Sequence, residues 1–171
     1  SQIQGPKSLK LLYKIIDKPI ISRFKFFDWE EVSIASQKVI ISRTGFTNEL
    51  GWEIYLRPEN DAKKIGDLIL DAGKKMGMIL TASPGFRARR IEAGLLSASR
   101  DFTKDRTPFS VGLGRFIDFN KGEFIGRNFL LKANKDCLTW GMRVKDSFAV
   151  VDSEIKLNNK KIGLVTSSTW S

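Results

Sequence analysis

Apolar residues recur at helical spacing in two well separated stretches of the chain, which predicts two amphipathic helices. The first helix follows Pro6, a residue suited to the first helical turn, and ends before Pro19. The second carries its apolar residues on one face over Ala62–Met76, with Asn60 or Asp61 as N-cap. Each helix would bury one face and leave the other in water.

A third helix is predicted to begin at Ser83 as N-cap, with Pro84 as its first helical residue. Its expected buried side consists of Ala88, Ile91 and Leu95. Four arginines surround this helix: Arg87, Arg89, Arg90 and Arg100. Such a cluster can hold phosphates or carboxylates through bidentate contacts, although a solvated helix face is the commoner explanation.

Alternating runs ahead of the second helix predict an antiparallel sheet. Residues 20–29 predict one strand, and residues 31–43 predict two strands joined by a polar turn at Ser36–Lys38. A further strand is predicted over Trp52–Leu56, where successive side chains must point to opposite faces.

The C-terminal part shows no sustained helical period. Residues 101–124 predict irregular loops with short strands, and residues 126–134 predict one brief helix. Three strands are expected beyond it, over residues 137–144, 154–159 and 160–168. A hairpin turn at Asn158-Asn159 would join the last two. The pattern divides the chain into a first domain over residues 1–133 and a second β-domain over residues 134–171.

Glu53 shares one face of its predicted strand with Tyr55, opposite Trp52. A carboxylate beside a tyrosine, just after a glycine turn, can accept two N–H donors from a flat heterocycle while aromatic rings stack on that ligand. The alternative is that Glu53 merely belongs to the exposed polar face of an edge strand.

The composition excludes several kinds of site. The 171 residues include no histidine and one cysteine, Cys137, so histidine-dependent triads, four-cysteine clusters and internal disulfides cannot be built from this sequence. Cys137 is interpreted as a small buried hydrophobe. No metal site is predicted.

The charge balance favours an anionic partner, because 29 Lys and Arg against 19 Asp and Glu leave a net charge of +10. Nucleic acid, an acidic protein and a carboxylate-bearing cofactor are all compatible with it. A basic RNA-binding domain is the weakest of these alternatives, because most of the 12 Phe fall on core positions and no RNA-binding motif is present.

No apolar run approaches the roughly 20 residues that cross a bilayer, and the first residues lack the apolar core of a signal peptide. A cytoplasmic protein without membrane contact is expected. Both ends look cut, which suggests a fragment of a longer protein.

Five segments carry a family resemblance, in family order. The segment SRTGFTNELGWEIYL, residues 42–56, resembles the Arg-Thr-Gly-Tyr-Thr-Gly-Glu-x-Gly-Phe-Glu-Ile segment of the glycine cleavage T-protein (aminomethyltransferase) family. The other segments are IQGPKS, RRIEAGLLS, TPFSVGLGRFIDFNKGEFIGRNFLL and KIGLVTSSTWS. Together they span nearly the whole chain. The resemblance implies an α+β fold, an antiparallel sheet with flanking helices, followed by a partial C-terminal β-barrel.

The resemblance also implies a tetrahydrofolate site. Glu53 falls on the family's pterin-binding glutamate, and Phe46 stands where the family has a ring-contacting tyrosine. Tyr55 lies on the same face, and Arg87 or Arg89 is the expected substitute for the family's folate arginine. The family's catalytic aspartate lies upstream of the Gln-Gly-Pro segment, so no catalytic residue is expected in this chain.

Departures from the T-protein pattern place the resemblance nearer to the dimethylsulfoniopropionate demethylase and dimethylglycine dehydrogenase-like branches. Phe46, Tyr55 and the sequence around Arg87 are the main ones. Glu123 replaces the cysteine of the iron–sulfur-assembly branch, which argues against that branch.

The implied function is one-carbon transfer between a small methylated amine or sulfonium donor and tetrahydrofolate. A non-catalytic folate-binding or regulatory module is the alternative. The polyglutamate tail of folate and an acidic lipoyl-carrier protein are two explanations of the positive charge, and both stay open.

Overall fold

Apolar and polar residues alternate along the strands of the N-terminal sheet, which therefore has one apolar and one polar face. In a computed structural model describing residues 1–20 and 24–170, these strands are β1 Gln2–Gln4, β2 Trp29–Ile34, β3 Gln37–Ser42 and β4 Gly51–Tyr55. They lie in the order β1-β4-β3-β2, and every neighbouring pair is antiparallel. The predicted antiparallel sheet is confirmed.

The helices of the described chain are α1 Ser8–Ile15, α2 Ala62–Lys74, α3 Ser83–Glu92 and α4 Arg127–Lys132, with a 3-10 turn at Gly114–Phe116. A C-terminal hairpin consists of β5 Glu154–Leu157 and β6 Lys160–Leu164. The chain forms two compact units, Ser1–Arg89 and Arg90–Ser171. The proposed domain boundary at residue 133 is a different division and stays a prediction.

The core of the first unit lies between α1, α2 and the apolar face of the sheet. Its buried residues are Ile3, Leu11, Leu12, Ile15, Ile20, Val32, Ile34, Val39, Ile41, Trp52, Ile54, Ile65 and Ile69. Each large aliphatic side chain buried in this way contributes about 1.5–3 kcal/mol. This burial fixes which face of β4 turns away from the helices.

Helix α2 begins where its cap residue predicts. The Asp61 carboxylate accepts a hydrogen bond from the Lys64 backbone N–H at 3.0 Å, which satisfies one of the free donors at the helix start. Of the two predicted caps, Asp61 is therefore the one used.

The hairpin between β2 and β3 turns earlier than the polar residues suggest. Its two turn residues are Ala35 and Ser36, with φ of 52° and 65°, and Gln37 already pairs with Ile34. A two-residue turn of this left-handed kind matches the twist of antiparallel strands. Both strands are confirmed, but the turn predicted at Ser36–Lys38 is misplaced.

The strand predicted over residues 20–29 is wrong for residues 24–28, whereas Trp29 already belongs to β2. Residues 21–23 lie outside the described residues. Lys25 to Asp28 form a turn instead. The Asp28 carboxylate accepts from the Lys25 N–H at 2.6 Å, and the Asp28 N–H donates to the Lys25 carbonyl at 3.0 Å. These local bonds, with Phe27 at φ 73°, hold the segment in a turn instead of a strand. Phe27 and Asp28 nevertheless exchange backbone hydrogen bonds with Arg43, just beyond the end of β3.

The short strand β1 was not predicted. It has three residues, too few for a period to be recognised, yet it pairs with β4 through Gln2 opposite Glu53 and Ile3 opposite Trp52. Gly5, at φ 114°, then turns the chain toward α1. β4 is therefore an inner strand rather than an edge strand.

The second unit contains more irregular backbone than the pattern predicts. Residues 101–124 are mainly turns, as expected, but without the expected short strands, and residues 137–144 are not in a strand. A strand needs a neighbouring strand to pair with, and an alternating sequence does not provide one. The backbone N–H of Thr139 instead donates to the carbonyl of Ser110, which lies in a loop. The brief helix and the hairpin turn at Asn158-Asn159 are confirmed. The C-terminal barrel stays a prediction.

Third-helix burial also differs from the prediction. Ala88, Ile91 and Leu95 are only partly buried, and Arg90 is the buried residue of α3.

Across residues 1–20 and 24–170, no helix is long and apolar enough to cross a membrane.

Replacing Leu12 with alanine is expected to lower the free energy of unfolding of the first unit by about 2–5 kcal/mol. Leu12 is fully buried, so the substitution removes packed atoms and leaves a cavity. Leu70→Ala on the half-exposed side of α2 is the matched control, with an expected loss of less than about 1 kcal/mol. Urea unfolding followed by circular dichroism measures both, and equal losses would contradict this description of the core.

Candidate functional site

A row of side chains crosses the polar face of the sheet. The strand register sets Gln2 opposite Glu53, Glu53 opposite Ser42, and Ser42 opposite Trp29. Residues paired in this way point to the same face, which is the face opposite buried Trp52. Glu53 therefore lies near the middle of the sheet, between two neighbouring strands.

Glu53 accepts hydrogen bonds on both carboxylate oxygens. The Gln2 side-chain amide donates to Oε1 at 2.7 Å, and the Tyr55 hydroxyl donates to Oε2 at 2.9 Å. The Thr44 hydroxyl also donates to Oε2. The Ser42 and Thr44 hydroxyl oxygens are 2.5 Å apart.

The direction of this hydroxyl pair follows from counting protons. Thr44 has one hydroxyl proton and gives it to Glu53, so Ser42 must be the donor to Thr44. Ser42 is 7% exposed and Thr44 is half-buried. The result is a chain of donors that runs from the interior toward the carboxylate.

The loop between β3 and β4 is shaped by Gln4 of β1. A Cβ on Gly45 or Gly51 would overlap the Gln4 carboxamide, and the Thr47 hydroxyl donates to Gln4 Oε1 at 2.8 Å. A side chain at Gly45 in this loop, or at Gly51 where β4 begins, would therefore have to displace the Gln4 carboxamide. The loop in turn sets the position of Thr44 beside Glu53.

Exposed aromatic rings belong to the elements around Glu53. Tyr55 is 51% exposed, and Trp29 at the far end of the row is more exposed still. Phe46 is exposed in the loop between β3 and β4. The predicted site residues Glu53 and Tyr55 are in contact, while Gln2, Ser42 and Thr44 complete the polar cluster without having been predicted.

The two predicted arginines lie on α3. Arg89 pairs with Glu49 of the loop between β3 and β4, and Arg87 is exposed. The ion pair connects α3 to the loop that carries Phe46. The donors found on Glu53 within residues 1–20 and 24–170 are Gln2, Thr44 and Tyr55, so folate contact by either arginine stays a prediction.

A second polar cluster is buried in the second unit. Arg90 Nη1 lies 2.6 Å from Asp101 Oδ2, and the two side chains are 8% and 4% exposed. Arg90 also donates to the Leu95 carbonyl at 3.1 Å and to Ser167 Oγ at 2.8 Å. Thr166 donates to Asp101 Oδ1 at 2.8 Å. One arginine of the predicted solvated cluster therefore has a structural role. The helical pattern does not indicate it, because Asp101 and Ser167 lie outside α3, at 11 and 77 residues from Arg90.

Burial alone would raise the pKa of Asp101. Donated hydrogen bonds outweigh burial and hold the pKa below its ordinary value of 3.8. The donors are Ser167, the Ser97 backbone, Thr166 and Arg90. Asp101 is thus stabilised as the carboxylate within the folded unit.

Cys137 differs from its interpretation as a buried residue. It is exposed, and the Arg106 guanidinium donates to its sulfur at 3.3 Å. Within the described residues, no group of three or more acidic, histidine or cysteine side chains is arranged to hold a metal ion.

Residues 1–121 match the family described as the GCVT N-terminal domain. The chain belongs to the GCVT, or glycine cleavage T-protein, family. The T-protein resemblance of SRTGFTNELGWEIYL and the other segments is therefore confirmed at the level of the family. The dimethylsulfoniopropionate and dimethylglycine branches stay predictions.

Relatives of this GCVT family chain are aminomethyltransferases. The chain is 37% identical to the aminomethyltransferase of Caldanaerobacter subterraneus subsp. tengcongensis over 177 residues, which covers 99% of the chain and 46% of the relative. The aminomethyltransferase of Clostridium botulinum strain Loch Maree is 37% identical, and the match covers 96% of the chain and 45% of that relative. The aminomethyltransferase of Halothermothrix orenii is 33% identical, and the match covers 99% of the chain and 48% of that relative. The chain thus spans about half the length of the curated relatives it matches.

Asp101→Asn is expected to lower the stability of the second unit at neutral pH by about 3 kcal/mol, because Arg90 is left buried without its counter-ion. The pKa of Asp101 is lowered on folding, so its carboxylate stabilises the fold above about pH 4. That contribution is lost as the pH falls through the folded-state pKa. Acid unfolding of the variant should accordingly be less steep than that of the wild type.

Urea unfolding across this pH range measures the effect, with Asp71→Asn on the exposed side of α2 as the matched control. Identical pH dependence in Asp101→Asn and wild type would show that Asp101 does not contribute in this way.

Proposed function

We propose that the polar face of the sheet binds the pterin ring of tetrahydrofolate, and that the protein takes part in one-carbon transfer to this cofactor. The observation that carries the proposal is the Glu53 carboxylate on the polar face of the sheet, where the hydroxyl pair of Ser42 and Thr44 holds it from the buried side. Family membership and the aminomethyltransferase relatives support the same assignment.

The chemistry of Glu53 suits a pterin. The aminopyrimidine edge of that ring presents neighbouring N–H donors, and a carboxylate pairs with two such donors as it pairs with a guanidinium. Glu53 acts as an acceptor toward all of its identified partners, so it offers the complementary charge and polarity. Hydrogen bonds of this charged kind contribute about 1.5–3 kcal/mol each.

The aromatic residues would contact the faces of the ring. Phe46 and Tyr55 are both exposed; Phe46 lies in the loop before β4, and Tyr55 lies on β4 beside Glu53. Phe46 offers a ring face without a hydroxyl, so its contribution is stacking alone.

Arg87 or Arg89 would serve the carboxylates of the folate tail. Arg87 is exposed on α3, and Arg89 already pairs with Glu49, so Arg87 is the residue we assign first. The net charge of +10 also suits the polyglutamate tail or an acidic lipoyl-carrier partner.

In the proposed reaction tetrahydrofolate supplies the nucleophilic nitrogen, and the residues of this chain bind and orient it. Glu53 fixes the rotation of the pterin in its plane, and the aromatic rings fix the plane itself. The catalytic aspartate is expected upstream of the Gln-Gly-Pro segment. The donor, a small methylated amine or sulfonium compound, belongs to the proposal and not to the family assignment.

Glu53→Gln is expected to weaken tetrahydrofolate binding by at least roughly tenfold, because the substitution removes the charge and presents an amide donor to the donors of the pterin. Isothermal titration calorimetry of tetrahydrofolate into the full chain measures the affinity. Glu59→Gln, an exposed glutamate in the loop before α2, is the matched control and should bind as the wild type does.

Equal affinities for wild type and Glu53→Gln would contradict the pterin assignment. Absence of binding to the wild-type chain would contradict the proposed function as a whole.

A further inference from the structure

The hydrogen bonds on Glu53 are unequally divided between its two oxygens. Within residues 1–20 and 24–170, Oε2 accepts from both Thr44 and Tyr55, whereas Oε1 accepts from Gln2 alone. An ionised carboxylate has about four acceptor positions, two on each oxygen. Oε2 is therefore fully used, and Oε1 has one position left.

A ligand that presents two parallel N–H donors needs one acceptor position on each oxygen. The Oε1 position is available, but the Oε2 position is not. Bidentate binding at Glu53 consequently requires that one of the two donors on Oε2 is displaced.

The surroundings of the two donors decide which one leaves. Thr44 is half-buried and is itself held by Ser42, at 2.5 Å, from the buried side. Its release would leave a half-buried hydroxyl, packed against buried Ser42, without its acceptor, and a polar group that loses its partner away from open solvent is costly. Tyr55 is 51% exposed, so its released hydroxyl can be hydrated at once.

We propose that the Tyr55 hydroxyl is an internal competitor for the acceptor position that the ligand takes on Glu53, and that Thr44 is the positioning residue that stays. The inference rests on the proposed function, since tetrahydrofolate is the two-donor ligand in question. Tyr55 thus has two separate effects on binding: its ring supports the ligand, and its hydroxyl opposes it.

The two roles predict opposite results from neighbouring substitutions. Tyr55→Phe keeps the ring and removes the competitor, so tetrahydrofolate should bind roughly two- to tenfold more tightly, the equivalent of one ordinary hydrogen bond. Thr44→Val removes the donor that orients the carboxylate, so binding should weaken by about tenfold. Thr44→Ser restores the hydroxyl and should return the affinity to near that of the wild type.

Calorimetric titration of tetrahydrofolate into wild type and the three variants tests the proposal. Tyr13→Phe is the matched control, because Tyr13 is the one other tyrosine of the sequence and lies on the exposed side of α1. It should leave the affinity unchanged. Thermal unfolding establishes whether each variant is folded. If Thr44→Val is not folded, Ser42→Ala takes its place, and Ser42→Ala is expected to bind tetrahydrofolate more weakly than the wild type.

The outcomes separate this inference from the function on which it rests. If Glu53→Gln weakens tetrahydrofolate binding but Tyr55→Phe leaves it unchanged or weakens it, only the competitor role of the Tyr55 hydroxyl is overturned. If Thr44→Val binds tetrahydrofolate as the wild type does, or if Thr44→Ser does not restore the affinity that Thr44→Val loses, the positioning role of Thr44 is overturned. A wild-type chain that does not bind tetrahydrofolate overturns the proposed function and this inference with it.

Discussion

The pairing of β4 with a strand on each side is the constraint on which the first unit depends. Because β4 pairs with β1 and β3, its backbone is held in one register and its side chains must alternate between two environments. Trp52 and Ile54 are buried against the helices, and this burial obliges Glu53 and Tyr55 to face the other way. A slip of one residue would exchange the core and the candidate site.

The same pairing explains why the polar cluster contains residues from distant parts of the sequence. Gln2 comes from β1, Ser42 from the end of β3, and Glu53 from β4, and they meet because the register sets them in one row. The loop that contains Thr44 packs in turn against Gln4, whose carboxamide occupies the space that a Cβ at Gly45 or Gly51 would take. The position of the carboxylate is therefore a consequence of backbone pairing and close packing together.

Those parts of the structure with a long period or a specific turn chemistry could be predicted from the sequence. Helix α2 with a cap at Asn60 or Asp61, the strand carrying Glu53 and the Asn158-Asn159 turn are of this kind. Strand β1 is not predictable because three residues are too few to show an alternating pattern. Residues 24–28 do not form the expected strand because the Asp28 carboxylate accepts a hydrogen bond from the Lys25 backbone and so stabilises a turn. Of the site, the family pattern indicates Glu53. Ser42 and Gln2 emerge only from the strand register, and Thr44 emerges only from its hydrogen bond to Glu53 in the folded loop. Arg90 was misjudged for a related reason: its partner Asp101 and the later Ser167 are recognisable only once the chain is folded.

The proposed site depends on contact between Glu53 and the N–H edge of a pterin on the polar face of the sheet. The structure of the chain in complex with tetrahydrofolate tests it most directly. Two pterin nitrogens are expected at about 2.7–2.9 Å from the two oxygens of Glu53, as in other charge-assisted pairs. A complex in which the pterin binds elsewhere, with Glu53 keeping its present donors, would contradict it.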